Sequence, residues 1–184
     1  LMREINRSKD GDFSETRLQE RYSADLVNDL GNLVNRTLAM AQKYLNSEIP
    51  GSASEALPQL AEARCAAFAT YKKNMESYCF HLALEVIFSL VSLANKQIAD
   101  SAPWAVIKEN DGKEKVSAIL YSIVSTIHLS AICLFPFMPQ KMELLLTQLG
   151  VSNNESSLRL TNQQTPNQYH LSPPQVLFPK LTAA

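Results

Sequence analysis

From Ser14 to Leu45 the positions Leu26, Leu30, Leu33, Thr37, Met40 and Tyr44 recur at three- and four-residue intervals, and Asn28, Asn32, Asn35 and Arg36 fall between them. At about 100° per residue the first set lines one side of a helix and the second gathers on the other. One face can pack. The polar face is either ordinary solvated surface or a surface that reads a partner. Ser14 follows the turn Asp10-Gly-Asp-Phe13 and is placed to cap this helix, while Asn46-Ser47 and Pro50-Gly51 supply stop and turn after Leu45.

A second helical tract begins around Ser54 and runs through the alanine-rich stretch Leu60–Thr70; a third covers Glu76 to about Ala99. In the third, Tyr78, Leu82, Val86, Ser89 and Leu93 recur at helical intervals and the tract is apolar on most sides, which predicts a central position. Pro103 opens a short helix carrying Trp104, since a proline's missing amide has no partner to lose there. Asn110-Asp-Gly112 reads as a turn, then a long helix over Lys113–Leu134 and a short one over Pro139–Leu149, closed by Gly150. From Val151 the chain turns to Asn, Ser, Gln, Thr and Pro, which favours loop, except for an apolar pair, Leu177 and Phe178, suited to dock back on the body. The expectation is an all-α helical bundle over 14–150, a connector over 1–13 and a Pro/Asn/Gln-rich tail over 151–184. A start at Leu1 reads as a fragment or trimmed chain, with Leu1–Ile5 as the last turn of something upstream.

Composition narrows the function classes. A chain of 184 residues with 46% hydrophobic and 19% charged residues can bury one proper core. A formal net charge of -1 argues against gripping duplex DNA by blanket phosphate neutralisation, yet is compatible with reading a few splayed bases. Cys65, Cys79 and Cys133 lie far apart in apolar helical surroundings and read as reduced core residues of a cytoplasmic protein; neither they nor the dispersed His81, His128 and His170 have metal-ligand or acid/base spacing. The uncharged run Ala118–Met138 is long enough to span a bilayer, but Ser122, Ser125, Thr126 and Ser130 recur beside the stripe Leu120, Ile123, Ile127, Ala131 and Leu134, which suits a helix inside a bundle. No signal peptide pattern follows Leu1-Met-Arg-Glu.

The segments Lys9-Asp-Gly-Asp-Phe-Ser14, Arg21-Tyr22, Asn28-Asp-Leu-Gly-Asn32 and Asn35-Arg36, then Ala102-Pro-Trp104, Leu134-Phe-Pro-Phe-Met-Pro139 and Leu177-Phe-Pro-Lys-Leu181, occur in that order. Together they resemble the anticodon-binding domain of methionyl-tRNA synthetases, nearly end to end. The resemblance implies recognition of the CAU anticodon of methionine tRNA by Asn28, Asn32 and Arg36 on the first helix, with Trp104 as stacking platform. It also implies that the terminal segment returns toward a catalytic domain. The His-x-Gly-His and Lys-Met-Ser-Lys-Ser signatures of class I synthetases are absent from the sequence, so no residue here is expected to be catalytic. ATP and methionine would be handled by a catalytic domain upstream.

The residue types suit that chemistry. Unpaired RNA bases are splayed, stacked on aromatic rings and hydrogen-bonded along their edges. An Asn amide offers donor and acceptor to a mixed base edge, and Arg offers a fork of donors to a carbonyl or phosphate. Four-residue spacing aligns Asn28, Asn32 and Arg36 along one helix face. Trp104 is equally a half-buried packing anchor or a stacking surface on residue type alone. Asp25 and Asp29 flank the stripe, either as solvated carboxylates or as intrahelical partners of Arg21 or Arg36. Two other readings fit the pattern: the corresponding domain of a leucine, isoleucine, valine or cysteine synthetase, and a helical protein-interaction module that binds no RNA.

Overall fold

A computed structural model of the chain describes residues 2–3, 14–51, 56–151 and 166–181. The turn expected at Asp10-Gly-Asp-Phe13 and the expected start of the second helical tract near Ser54 lie outside the described residues. Ser14 caps the first helix through its side chain, whose Oγ accepts from the Arg17 amide at 3.3 Å. The helix expected from Ser14 to Leu45 is continuous but not uniform: α1 (Glu15–Arg21) passes into a π-helical segment (Tyr22–Gly31) and then α2 (Asn32–Leu45). α2 ends at Asn46, which adopts the left-handed conformation at φ 53°, a geometry asparagine tolerates. β1 (Glu48–Pro50) follows, then α3 (Pro58–Glu76), α4 (Phe80–Ser101), α5 (Pro103–Val106), α6 (Gly112–Leu134), α7 (Pro139–Gln148) and β2 (Gln168–His170).

α6 forms the centre, packed against α2, α3, α4, α5 and α7. Its apolar stripe Leu120, Ile123, Ile127, Ala131 and Leu134 is buried. Its buried hydroxyls fold back on their own helix: Ser122, Thr126 and Ser130 donate to the carbonyls of Ala118, Ser122 and Thr126 at 3.1, 2.9 and 2.8 Å. That arrangement satisfies most of the polar stripe without a partner helix. α6 and the stretch Phe80–Val106 are apolar and long enough to cross a membrane by composition, but 78% of the most apolar window of α6 is buried inside the bundle. Its hydrophobicity therefore serves interhelical packing. Arg64 and Tyr71 of α3 donate to the Ser122 and Cys133 carbonyls at 3.1 and 2.6 Å, and burial raises the Tyr71 phenol above its usual range.

Two expectations change, the phase of α4 and the burial of the cysteines. The buried side of α4 is Ala83, Leu84, Ile87, Phe88, Leu90, Val91, Ala94 and Ile98, whereas Leu82 and Ser89 are exposed and Val86 and Leu93 half-buried. Tyr78 is not helical; it sits in the preceding turn with φ 57°, so a stripe started there follows the outer face. The stripe expected on the first long helix does face the core: Leu30, Leu33 and Thr37 are buried and Leu26, Met40 and Tyr44 are half-buried against it, with Val34, Leu38, Ala41 and Leu45 widening the buried side. Of the cysteines only Cys133 is core, its thiol pushed up to about 12 by burial; Cys79 is intermediate and Cys65 exposed on α3. A helical period continues through such surface positions because small apolar residues are tolerated there.

The all-α expectation holds with one addition, a two-stranded antiparallel sheet in which Ile49 pairs with Tyr169. Both side chains are buried. Gly150 makes this return possible: at φ +70°, a Cβ there would lie 2.3 Å from the His170 carbonyl oxygen. Gly150→Ala is expected to cost about 2 kcal/mol, combining left-handed strain with displacement of β2. Urea unfolding of the variant against the parent measures it.

Candidate nucleic-acid interface

The π-helical segment carries Asn28, and α2 begins with Asn32 and carries Arg36 one turn later. Asn28 and Asn32 are exposed; Arg36 is half-buried. A π turn closes i→i+5 rather than i→i+4, and such turns concentrate at functional sites. Gly31 sits at its end, where a Cβ would meet the Leu26 carbonyl oxygen at 2.9 Å. Glycine therefore suits the junction between the wide turn and α2.

Trp104 arrives from the end of α4, which packs beside the π-helical segment and α2. α4 stops at Ser101, Ala102 takes the left-handed conformation at φ 41°, and buried Pro103 opens α5. This sharp cap turns the chain outward, leaving the Trp104 ring 44% exposed. The Arg36 guanidinium lies over that ring, 5.9 Å from its centroid, within the range of a cation–π contact. Two of the four sequence-predicted residues thus meet, from elements almost seventy positions apart, and the two asparagines continue the same helix toward its amino-terminal end. The exposure of Trp104 weighs against a packing anchor.

The flanking aspartates are not the solvated carboxylates or purely intrahelical partners that the spacing suggests. Asp25 pairs with Arg3, and lies 4.0 Å from Arg21. Asp29 reaches across to α4, accepting from the Ser92 hydroxyl and, at 2.6 Å, from the Asn95 amide, which also donates to the Asp29 carbonyl at 3.0 Å. Ser92 and Asn95 carry no sequence signal for this role, because the pairing is set by helix packing and not by local spacing. The carboxy-terminal apolar pair also lands on this helix. Tyr22 donates to the Pro179 carbonyl at 2.9 Å and its ring meets Phe178 edge-on at 6.4 Å.

A cleft of about 320 Å³, lined by Met2, Leu18, Tyr22, Leu84, Phe88 and Met138 among others, opens near the start of the chain. None of Asn28, Asn32, Arg36 and Trp104 lines it, and its walls are mainly apolar. Among the described residues, no group of three His, Cys, Asp or Glu side chains could hold a metal ion.

The chain is thus a helical bundle that presents an exposed Trp–Arg pair beside a row of asparagines. Residues 47–184 match the family model "Anticodon binding domain of methionyl tRNA ligase", and residues 1–38 match "tRNA synthetases class I (M)". The chain is 34% identical over 186 residues to the methionine–tRNA ligase of Halalkalibacterium halodurans, covering 98% of this chain and 28% of that protein. It is 33% identical over 190 residues to that of Bacillus subtilis, covering 100% and 28%. The crystal structure of the apo form of Mycobacterium tuberculosis methionyl-tRNA synthetase superposes with a TM-score of 0.90 at 27% identity, covering 100% of this chain and 38% of that one. The chain belongs to the family of anticodon-binding domains of methionyl-tRNA ligases. It spans a little over a quarter of the length of these curated relatives, and these relatives and both family models are those of the methionine enzyme.

Proposed function

We propose that this domain is part of a cytoplasmic methionine–tRNA ligase and reads the CAU anticodon of methionine tRNA through Asn28, Asn32, Arg36 and Trp104. The observation that carries the reading is the Arg36 guanidinium lying over the exposed Trp104 ring. A planar aromatic face offers a base a stacking surface, the adjacent fork of donors meets a carbonyl or phosphate, and exposed asparagines meet neighbouring base edges. The partners are the anticodon loop of methionine tRNA and the ligase's own catalytic domain; adenylation from ATP and methionine belongs to that domain. The match of residues 1–38 to a class I synthetase model supports continuity with it.

Selection follows from the use of binding energy. Contacts at the anticodon hold the tRNA so that its acceptor end reaches a remote active site, and losing one lowers charging as well as affinity. In the full-length protein, Asn28→Ala and Arg36→Ala are each expected to lower kcat/KM for charging by about 1–2 kcal/mol, because each leaves a desolvated base or phosphate group without its partner. Folding stability should change little, since neither side chain belongs to the buried core. Wild-type charging kinetics in both variants would return this face to solvated surface.

A further inference from the structure

The helix that carries the asparagine row and the helix that delivers Trp104 run in the same direction and are joined at two levels. At the lower level Asp29 accepts from Ser92 and Asn95; at the upper level Arg36 covers Trp104. Arg36 stands seven residues beyond Asp29, and Trp104 nine beyond Asn95 across the left-handed break at Ala102. The lower joint therefore sets how the upper ends meet. It lies inside the π-helical segment, between Asn28 and Asn32, where hydrogen bonding is least determined by the helix itself: the Asn32 amide is shared between the Asp29 and Val27 carbonyls. Each residue of slippage in that register turns everything on one side by about 100° relative to the other.

We infer that Asp29 is a positioning residue for anticodon discrimination. It acts by locking the π turn to α4, so that the asparagine row and the Trp104 ring address the same stretch of the loop. The second Asn95 hydrogen bond, to the Asp29 backbone carbonyl, pins main chain as well as side chain. This inference rests on the anticodon reading above and adds a residue that need not touch RNA. A carboxylate is suited to the task because it accepts from both α4 donors at once, and charge-assisted bonds are shorter and stronger than neutral ones.

The test is charging by the full-length protein of methionine tRNA and of the same tRNA with a changed first anticodon base, each rate normalised to methionine-dependent pyrophosphate exchange. Asp29→Ala is expected to lower kcat/KM for the cognate tRNA about tenfold, the worth of one charged hydrogen bond, mostly through KM. The changed tRNA should lose little, so the ratio between the two narrows. Val91→Ala, which removes buried packing from the same helix, should lower stability and leave the ratio intact. Asp29→Asn keeps a side-chain oxygen to accept from Asn95 and Ser92 and leaves the Asn95 bond to the backbone carbonyl in place, so it should retain most of the ratio that Asp29→Ala loses. A wild-type ratio in Asp29→Ala, where Arg36→Ala and Trp104→Ala collapse it, would overturn the positioning role and leave the anticodon reading standing. An unchanged ratio in all three variants would overturn both.

Discussion

Replacing Trp104 by alanine in the full-length protein is expected to lower kcat/KM for charging methionine tRNA by about 3 kcal/mol, the upper end for a single base–aromatic stack. The upper end applies because the same substitution removes the surface on which Arg36 rests, so the guanidinium loses its orientation together with the ring. Stability should fall much less than for a core residue, since the ring is 44% exposed. Trp104 is the only tryptophan, and its emission therefore reports this one site. A stem-loop carrying CAU should quench or shift the emission saturably, and a loop with a changed first anticodon base much less. A packing tryptophan predicts the reverse: emission indifferent to RNA, and a variant that loses about 3–5 kcal/mol of folding stability while the folded fraction still binds.

The main lines of the fold were legible because long helices repeat their pattern over many turns. Ser14, Pro103 and Gly150 marked their boundaries through backbone chemistry local to each residue. What the pattern could not carry was phase. Tyr78, Leu82 and Ser89 keep helical spacing with one another and still face outward, because spacing alone does not say which of two apolar stripes meets a neighbour. The π turn was equally hidden. It coincides with the close approach of Gly31 to the Leu26 carbonyl and with the α4 donors that hold Asp29, features that leave no local pattern in the sequence. The short sheet escaped for a similar reason: β1 and β2 are three residues each and lie more than a hundred positions apart, too brief for period-two alternation to register.

At the candidate site, residue type and spacing indicated the candidate side chains, and only packing indicated which of them meet. Asn28, Asn32 and Arg36 share a face by helical arithmetic. That Trp104 stands over Arg36 depends on the left-handed Ala102 and on the common direction of two helices, neither of which leaves a local mark. Asp29 is the clearest case of context overriding type. Among surface residues a lone aspartate in a polar stripe is ordinarily solvated, yet here it is the shared acceptor of an interhelical joint.

Acidification should loosen the attachment of the carboxy-terminal strand through one buried imidazole. His128 of α6 is 6% exposed, and its Nδ1 lies 3.2 Å from the Tyr169 hydroxyl on β2, with the tyrosine ring edge-on at 5.9 Å. Burial lowers its pKa from 6.5 to about 4, because the apolar surroundings penalise the charged ring. Among the described residues Nε2 has no hydrogen-bond partner, so in the imidazolium, where both ring nitrogens donate, the Nε2 proton would be buried without an acceptor. The unfolded chain binds that proton near pH 6.5 and the folded chain only near pH 4. The stabilising contribution is therefore complete above about pH 6.5 and is lost as pH falls from there to about 4. Across that window the gap from 6.5 to about 4, at 1.36 kcal/mol per pH unit, is worth about 3 kcal/mol. Urea unfolding of the parent and of His128→Gln at pH 7 and pH 4 separates this effect from the carboxylates that titrate in both proteins. The parent should lose about 3 kcal/mol more than the variant, and amide exchange at Tyr169 should accelerate in the parent first. Parallel pH dependence in the two proteins would mean that the imidazole takes up its proton without leaving the core.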